Sequence, residues 1–207
     1  MSIEADQVIA LYTRHAPAWV AAREQGAFVE GEWLRRFGVV MGVNETAADG
    51  RAVLDLGCGA GQPMAAHLVA QGYAVTGVDA SSTMLELFRA RLPLQRAVQA
   101  DMRTLALGRR FAGILAWDSF FHLRQDDQRR MFAIFRAHAA PRAALMFTSG
   151  PVHGVAMGEL QGEALYHASL APDEYTQLLD AHGFDVIAMS VEDPDCGNRT
   201  IWLAQSR

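Results

Sequence analysis

A short apolar run, Ala52-Val53-Leu54-Asp55-Leu56, stops in Gly57-Cys58-Gly59-Ala60-Gly61-Gln62-Pro63. No other feature limits the possible folds so tightly. Glycines at alternate positions let the chain turn sharply and leave bare backbone that another group can approach closely. The pattern that follows repeats this strand-to-helix step. Strand-like runs occupy 52–56, 74–79, 96–101, 111–117, 143–149, 184–192 and 200–204, and helix-like runs lie between most of them at 63–71, 82–91, 126–139 and 172–182. Short apolar strands alternating with amphipathic helices predict an α/β fold, a mostly parallel sheet covered on both faces. The last two runs are separated only by DPDCGNR, too short for a crossover helix, so they are expected to form an antiparallel hairpin.

Ahead of this core, 3–23 has roughly helical apolar spacing interrupted at Pro17, and 28–41 reads as a second helix. A polar connection at 44–51 joins them to the first strand. The 207 residues, 51% hydrophobic and 20% charged, suit one globular domain, with 1–43 as a helical lid and 50–207 as the core. A net charge of -5, with arginines scattered or in pairs, argues against nucleic acid as a partner. Cys58 and Cys196 give neither a disulfide framework nor Cys-x-x-Cys metal spacing. Glu4 and Asp6 stand where a signal peptide would be basic, and no apolar run is long enough for a bilayer. A cytoplasmic protein with no membrane partner is expected.

The glycine loop departs from the dinucleotide fingerprint G-x-G-x-x-G, because Gln62 holds the third required position and the glycine falls at Gly61. It has no lysine, so it is not a P-loop. VLDLGCGAGQP (53–63) resembles motif I of the class I S-adenosylmethionine (SAM) dependent methyltransferases. VTGVDAS (75–81), QADMRTL (99–105) and FAGILAWDSFFHL (111–123) are similar, in order, to the family's next three motifs. The resemblance covers about 50–150 and implies a Rossmann-like sandwich. Its sheet would be mostly parallel and seven-stranded, with an antiparallel C-terminal hairpin and N-terminal lid helices.

The resemblance also implies roles. Gly57, Cys58, Gly59, Gly61, Gln62 and Pro63 would form the loop against the amino-acid end of SAM, with Asp55 orienting that loop or reaching the ammonium through water. Asp79 would accept from both ribose hydroxyls, with Ala80, Ser81 and Met84 beside the adenosine. Asp101 would accept from the adenine amino group, with the Met102 N–H and Arg103 alongside. Trp117 and Asp118 would lie near the sulfonium, and Tyr12 and Trp19 would enclose it from the lid. Taken singly, an Asp at a strand end is also a common helix cap, and Met84 and Trp19 suit an apolar core equally well.

Methyl transfer requires alignment and water exclusion, plus a base where the acceptor carries a proton. His122 follows the fourth strand and titrates in the right range, although a loop hydrogen bond would equally explain it. Asp118 would orient His122 or bind an amine. The segment 149–171 is long and glycine-rich, and such loops are commonly functional. It is read as a substrate-side insertion offering Ser149, His153, Tyr166 and His167. EDPDC (192–196) sits in the hairpin turn, and no metal is expected. The absence of Asn-Pro-Pro-Tyr after the fourth strand, together with the acidic charge, points to a small-molecule acceptor. A protein or RNA methyltransferase working with a partner chain, and a SAM sensor without turnover, are the alternatives.

Overall fold

The structure, a computed structural model, describes residues 3–42 and 51–207, with the Ile3 side chain excluded. The polar connection expected at 44–51 therefore lies, apart from Arg51, outside the described residues. Two helices come first, α1 (Ile3–Gln25) and α2 (Gly31–Met41). The alternating part follows as β1 (Ala52–Leu56), α3 (Met64–Ala70), β2 (Ala74–Asp79), α4 (Ser82–Arg91), β3 (Arg96–Gln99), β4 (Phe111–Ala116), α5 (Gln125–His138) and β5 (Ala139–Ser149). It ends in β6 (Gly154–Leu160), β7 (Glu163–Ser169), α6 (Pro172–Ala181), β8 (Phe184–Asp193) and β9 (Arg199–Ser206). Among the described helices none is long and apolar enough to cross a membrane.

The main sheet has the order β3-β2-β1-β4-β5-β9-β8. Its first five strands are parallel, and β9 inserts antiparallel between β5 and β8, as the short DPDCGNR link requires. The period-2 alternation of a strand divides β1 between two cores. Ala52, Leu54 and Leu56 pack with Phe132 and Phe135 of α5 and Tyr175 of α6. Val53 faces the other way, toward Phe37 of α2, Leu68 of α3 and Phe88 of α4. Asp55 shares the parity of Val53, which points it away from the larger aromatic core.

Two expectations are corrected. α1 runs unbroken through Pro17. The proline removes one backbone hydrogen bond, but packing keeps the helix continuous across it: neighbouring Ala16 is fully buried with Ala60 and Met84. The segment 149–171 is not a loop but contains a second, two-stranded sheet, β6 paired antiparallel with β7. Its turn is Gln161-Gly162, both at positive φ (54° and 82°), the backbone of a tight two-residue hairpin. The hairpin packs on α1 through Leu165, Tyr166 and Ala168 against Val8 and Leu11.

Candidate active site

Strand order reverses between β1 and β4, and open α/β sheets hold ligands beyond the carboxyl ends of strands at such a point. A cavity lies there, walled by the loop after β1, the ends of β2 and β3, the turn after β4 and the inner side of α1. Gly57 turns at φ +72°, and a Cβ on it would stand 2.3 Å from the Cβ of Ser119. The Ser119 hydroxyl in turn donates to the Leu56 carbonyl at 2.7 Å, which seats the turn after β4 beneath the loop. Gly61 stands apart from the other two loop glycines. It does not line the cavity, and a Cβ there would meet the Phe88 ring at 2.9 Å, so its missing side chain makes room for α4.

Asp79 ties the loop to the end of β2. Its Oδ2 accepts from the Gly59 N–H and its Oδ1 from the Ser81 N–H, both at 2.8 Å. Burial raises its pKa, opposed by the N–H groups of Ser81, Gly59 and Ala80. Each carboxylate oxygen keeps a second lone pair, enough for a pair of ligand hydroxyls. Asp55 is only 3% exposed, lines the same cavity and accepts no hydrogen bond from the described residues. Burial first, and the charge of Asp79 second, push its pKa up to about 7. Trp117 also lines the cavity, and its buried Nε1 has no protein partner. A bare buried carboxylate and an idle N–H lining one cavity fit a ligand bearing both a cation and an acceptor. Cys58, Gln62, Pro63, Ala80, Ser81, Met84, Met102 and Arg103 also line the cavity.

Asp101 lines it too, but its carboxylate is already engaged by Arg103, through the backbone N–H (2.9 Å), Nε (3.0 and 2.9 Å) and Nη2 (2.5 Å). Burial would raise its pKa, and Arg103 more than reverses this, holding the carboxyl below its usual range. Asp101 thus caps the turn that follows it rather than standing open.

A second cavity adjoins the first and shares with it Tyr12, Trp19, Arg23, Asp118 and His122. His122 is held at both nitrogens. Nδ1 lies 2.9 Å from the Tyr166 carbonyl, which can only accept, so Nδ1 carries the proton and Nε2 accepts from the Tyr12 hydroxyl at 3.0 Å. Burial drives the His122 pKa down to about 3, with His167 adding to the fall and the Tyr166 carbonyl opposing it. His122, the residue expected as a base, thus has both nitrogens engaged and props Tyr12. Tyr12 itself is pushed up by burial, then by Asp118 and Asp79, and stays a neutral hydroxyl. Tyr166 lines neither cavity; it supplies its carbonyl while its ring packs against α1.

His167 lines the outer cavity. Its ring lies 4.8 Å from that of His122 and 5.1 Å from that of Phe121. Across the hairpin, a Cβ on Gly158 would approach its Cε1 to 2.8 Å, so the glycine leaves room for the ring. Neither nitrogen bonds a described residue. Burial lowers its pKa against the pull of Asp118, which leaves a neutral imidazole free to accept a proton. Asp118 takes a left-handed backbone (φ +46°), fixed by its N–H to the Thr148 hydroxyl at 2.8 Å. Its carboxylate is not open to an amine, because Arg199 grips it through Nε (3.0 Å to each oxygen) and Nη2 (2.8 Å). Behind this pair lies Glu30, completely buried, bonded to Arg23 and 3.7 Å from Arg199. Sequence reading passed over Arg199 and Glu30. They come from a hairpin and the start of a helix far apart in the chain, and no local pattern joins them.

A family model described as a methyltransferase domain matches residues 53–142. No curated protein matches the chain. Among solved structures, the glycopeptide N-methyltransferase MtfA in complex with S-adenosylhomocysteine is 21% identical with a TM-score of 0.67, over 86% of this chain and 90% of that one. The amino pentose methyltransferase CalS10 of Micromonospora echinaspora, solved with SAM, is 20% identical with a TM-score of 0.70, over 92% and 96%. The sugar N-methyltransferase KedS8 of Streptoalloteichus is 20% identical with a TM-score of 0.71, over 92% of both chains. At these identities the likeness is one of fold. The matched stretch runs from β1 into β5 and carries the glycine loop, Asp79 and Asp118, so that part of the chain matches a methyltransferase domain and the whole shares the fold of these methyltransferases.

Proposed function

We propose that the inner cavity takes SAM, the outer one takes an uncharged polar acceptor of the amino-sugar type, and the methyl group crosses where the two meet. The observation that carries this reading is the shared wall of Tyr12, Trp19, Arg23, Asp118 and His122 between contiguous cavities. Bound there, SAM supplies a methyl group activated by its sulfonium. The remaining lone pairs of Asp79 take the ribose hydroxyls, and Asp55 takes the ammonium that its bare carboxylate lacks. Tyr12 and Trp19, with ring centroids 6.0 Å apart, present aromatic faces and edges to a cation at the boundary.

The protein's part is then alignment and exclusion of water. As the acceptor nitrogen or oxygen bonds to carbon, the carbon–sulfur pair returns to sulfur and the acceptor's proton goes to a free nitrogen of His167. The charged groups around the outer cavity neutralise one another, Asp118 with Arg199 and Glu30 with Arg23, which favours an acceptor without net charge. Aromatic and imidazole rings from Tyr12, Trp19, Phe121 and His167 suit the apolar face of a sugar ring. The glycopeptide and amino-sugar activities of the structural neighbours agree with that chemistry.

The test is calorimetry with S-adenosylhomocysteine, followed by mass-spectrometric methyl transfer to a panel of amino sugars, neutral sugars and phenols. Binding plus a 14-dalton gain on an amino sugar (the mass of CH2, on the order of one methylene) supports the reading. Transfer to phenols alone defeats the acceptor assignment, and absence of binding defeats the cofactor assignment.

A further inference from the structure

We infer that Gln128 of α5 is the residue that positions His167 in the outer cavity, by fixing the backbone that follows it; for the reaction this rests on His167 as the proton acceptor proposed above. Gln128 is completely buried, on the helix that supplies Met131, Phe132 and Phe135 to the aromatic core. A primary amide in such surroundings is costly unless its hydrogen bonds are made, and methionine would fill the space without that cost. The bonds are made. Nε2 donates to the carbonyls of Leu123 and Ala168, both at 2.8 Å. Oε1 accepts from the Tyr175 hydroxyl at 2.6 Å, and that hydroxyl accepts from the Leu170 N–H at 3.0 Å.

The two carbonyls belong to the residues that follow the two imidazoles of the outer cavity, Leu123 after His122 and Ala168 after His167. The rings stand 4.8 Å apart, and one side chain ties the backbone beyond both. Carbonyls two residues apart on a strand point to the same edge. On β7 those of Tyr166 and Ala168 face His122 Nδ1, at 2.9 Å, and Gln128 Nε2, so two side chains pair with that edge and His167 lies between the tied peptides. Gln125, one turn earlier on α5, adds a bond to the Ser169 carbonyl at 3.0 Å. These ties matter because a two-stranded hairpin is marginal by itself, and β6 leaves Val155 and Met157 exposed. The His167 ring has no hydrogen bond of its own to a described residue, so its direction is set through its backbone and the packing of Phe121, His122 and Gly158 around it.

The experiment uses Gln128→Met and the double variant Gln128→Met with Tyr175→Phe, which remove the ties at nearly constant volume. The double variant strands no hydroxyl in the core, which keeps a folded protein within reach. Leu178→Ala trims the same core, bonds neither carbonyl and controls for lost stability. Histidine NMR on the free protein, with the His167 signal assigned from His167→Asn, reads the titration midpoint with no acceptor present. Wild type and control are expected to titrate below 6.5, and both Gln128 variants to move up toward 6.5 as the loosened ring gains water. Turnover of the amino sugar methylated in the panel above should fall about tenfold or more in the Gln128 variants, with S-adenosylhomocysteine affinity within about twofold of wild type. A His167 midpoint unchanged in a folded Gln128 variant, or moved equally by Leu178→Ala, overturns the positioning role. A midpoint that moves while turnover holds supports that role and overturns His167 as the proton acceptor instead.

Discussion

Asp55→Asn gives the sharpest prediction, because its effects on stability and on binding have opposite signs. The carboxyl is buried, accepts no hydrogen bond from the described residues and has its pKa raised from 3.8 to about 7 by burial and then by Asp79. The folded state thus holds the Asp55 proton more tightly than the unfolded chain. That contribution is full below pH 3.8 and is lost as pH rises through 7. At 1.36 kcal/mol per pH unit, the loss by pH 8.5 is about 4 kcal/mol, an order-of-magnitude figure. Asparagine keeps the shape and removes the charge. Urea unfolding of wild type and variant should therefore show the variant gaining stability relative to wild type from pH 5 to pH 7 and levelling off above it, by roughly 3 kcal/mol between pH 5 and pH 8.5. At pH 8 the same variant should bind S-adenosylhomocysteine more weakly than wild type, since the ligand's ammonium loses its counter-charge. A stability difference that does not change with pH refutes the reasoning about burial. A variant that binds as tightly as wild type refutes the placement of the ammonium.

Asp79→Ala should weaken S-adenosylhomocysteine binding by about 1–3 kcal/mol in calorimetry, the cost of losing a charged hydrogen-bond acceptor. His167→Asn should lower kcat by on the order of 100-fold while leaving that affinity unchanged, and kcat/KM of the wild type should fall on the acid side with a midpoint below 6.5, the direction in which burial moves this imidazole. Tyr12→Phe removes one part-buried hydrogen bond to His122, and chemical denaturation should register a loss of about 1 kcal/mol.

The parts of the site legible in the sequence are those written in consecutive residues. An apolar run, alternate glycines and an Asp ending the next strand fix β1, its loop and Asp79, because strand period and turn chemistry are local properties. The hairpin β6–β7 left no such trace. Val155 and Met157 of β6 are exposed, the alternate positions hold the small residues Ala156 and Gly158, and no apolar face alternates with a polar one. Pro17 misled in the opposite direction, since tertiary packing outweighs one missing hydrogen bond. Asp101, Asp118 and His122 follow β3 and β4 in the order of the motifs. Their chemistry is set by partners: Arg103 two residues on, Arg199 eighty-one residues on, and Tyr12 one hundred and ten residues back. Identity and spacing reveal a functional group but not what already neutralises it.

A crystal structure of the protein with S-adenosylhomocysteine tests the central claim most directly. The nucleoside is expected in the inner cavity with its ribose hydroxyls on Asp79, its ammonium toward Asp55 and its sulfur at the wall of Tyr12 and Asp118. The compound seated elsewhere, or Asp79 bonded to the glycine loop alone with the ligand present, would contradict it.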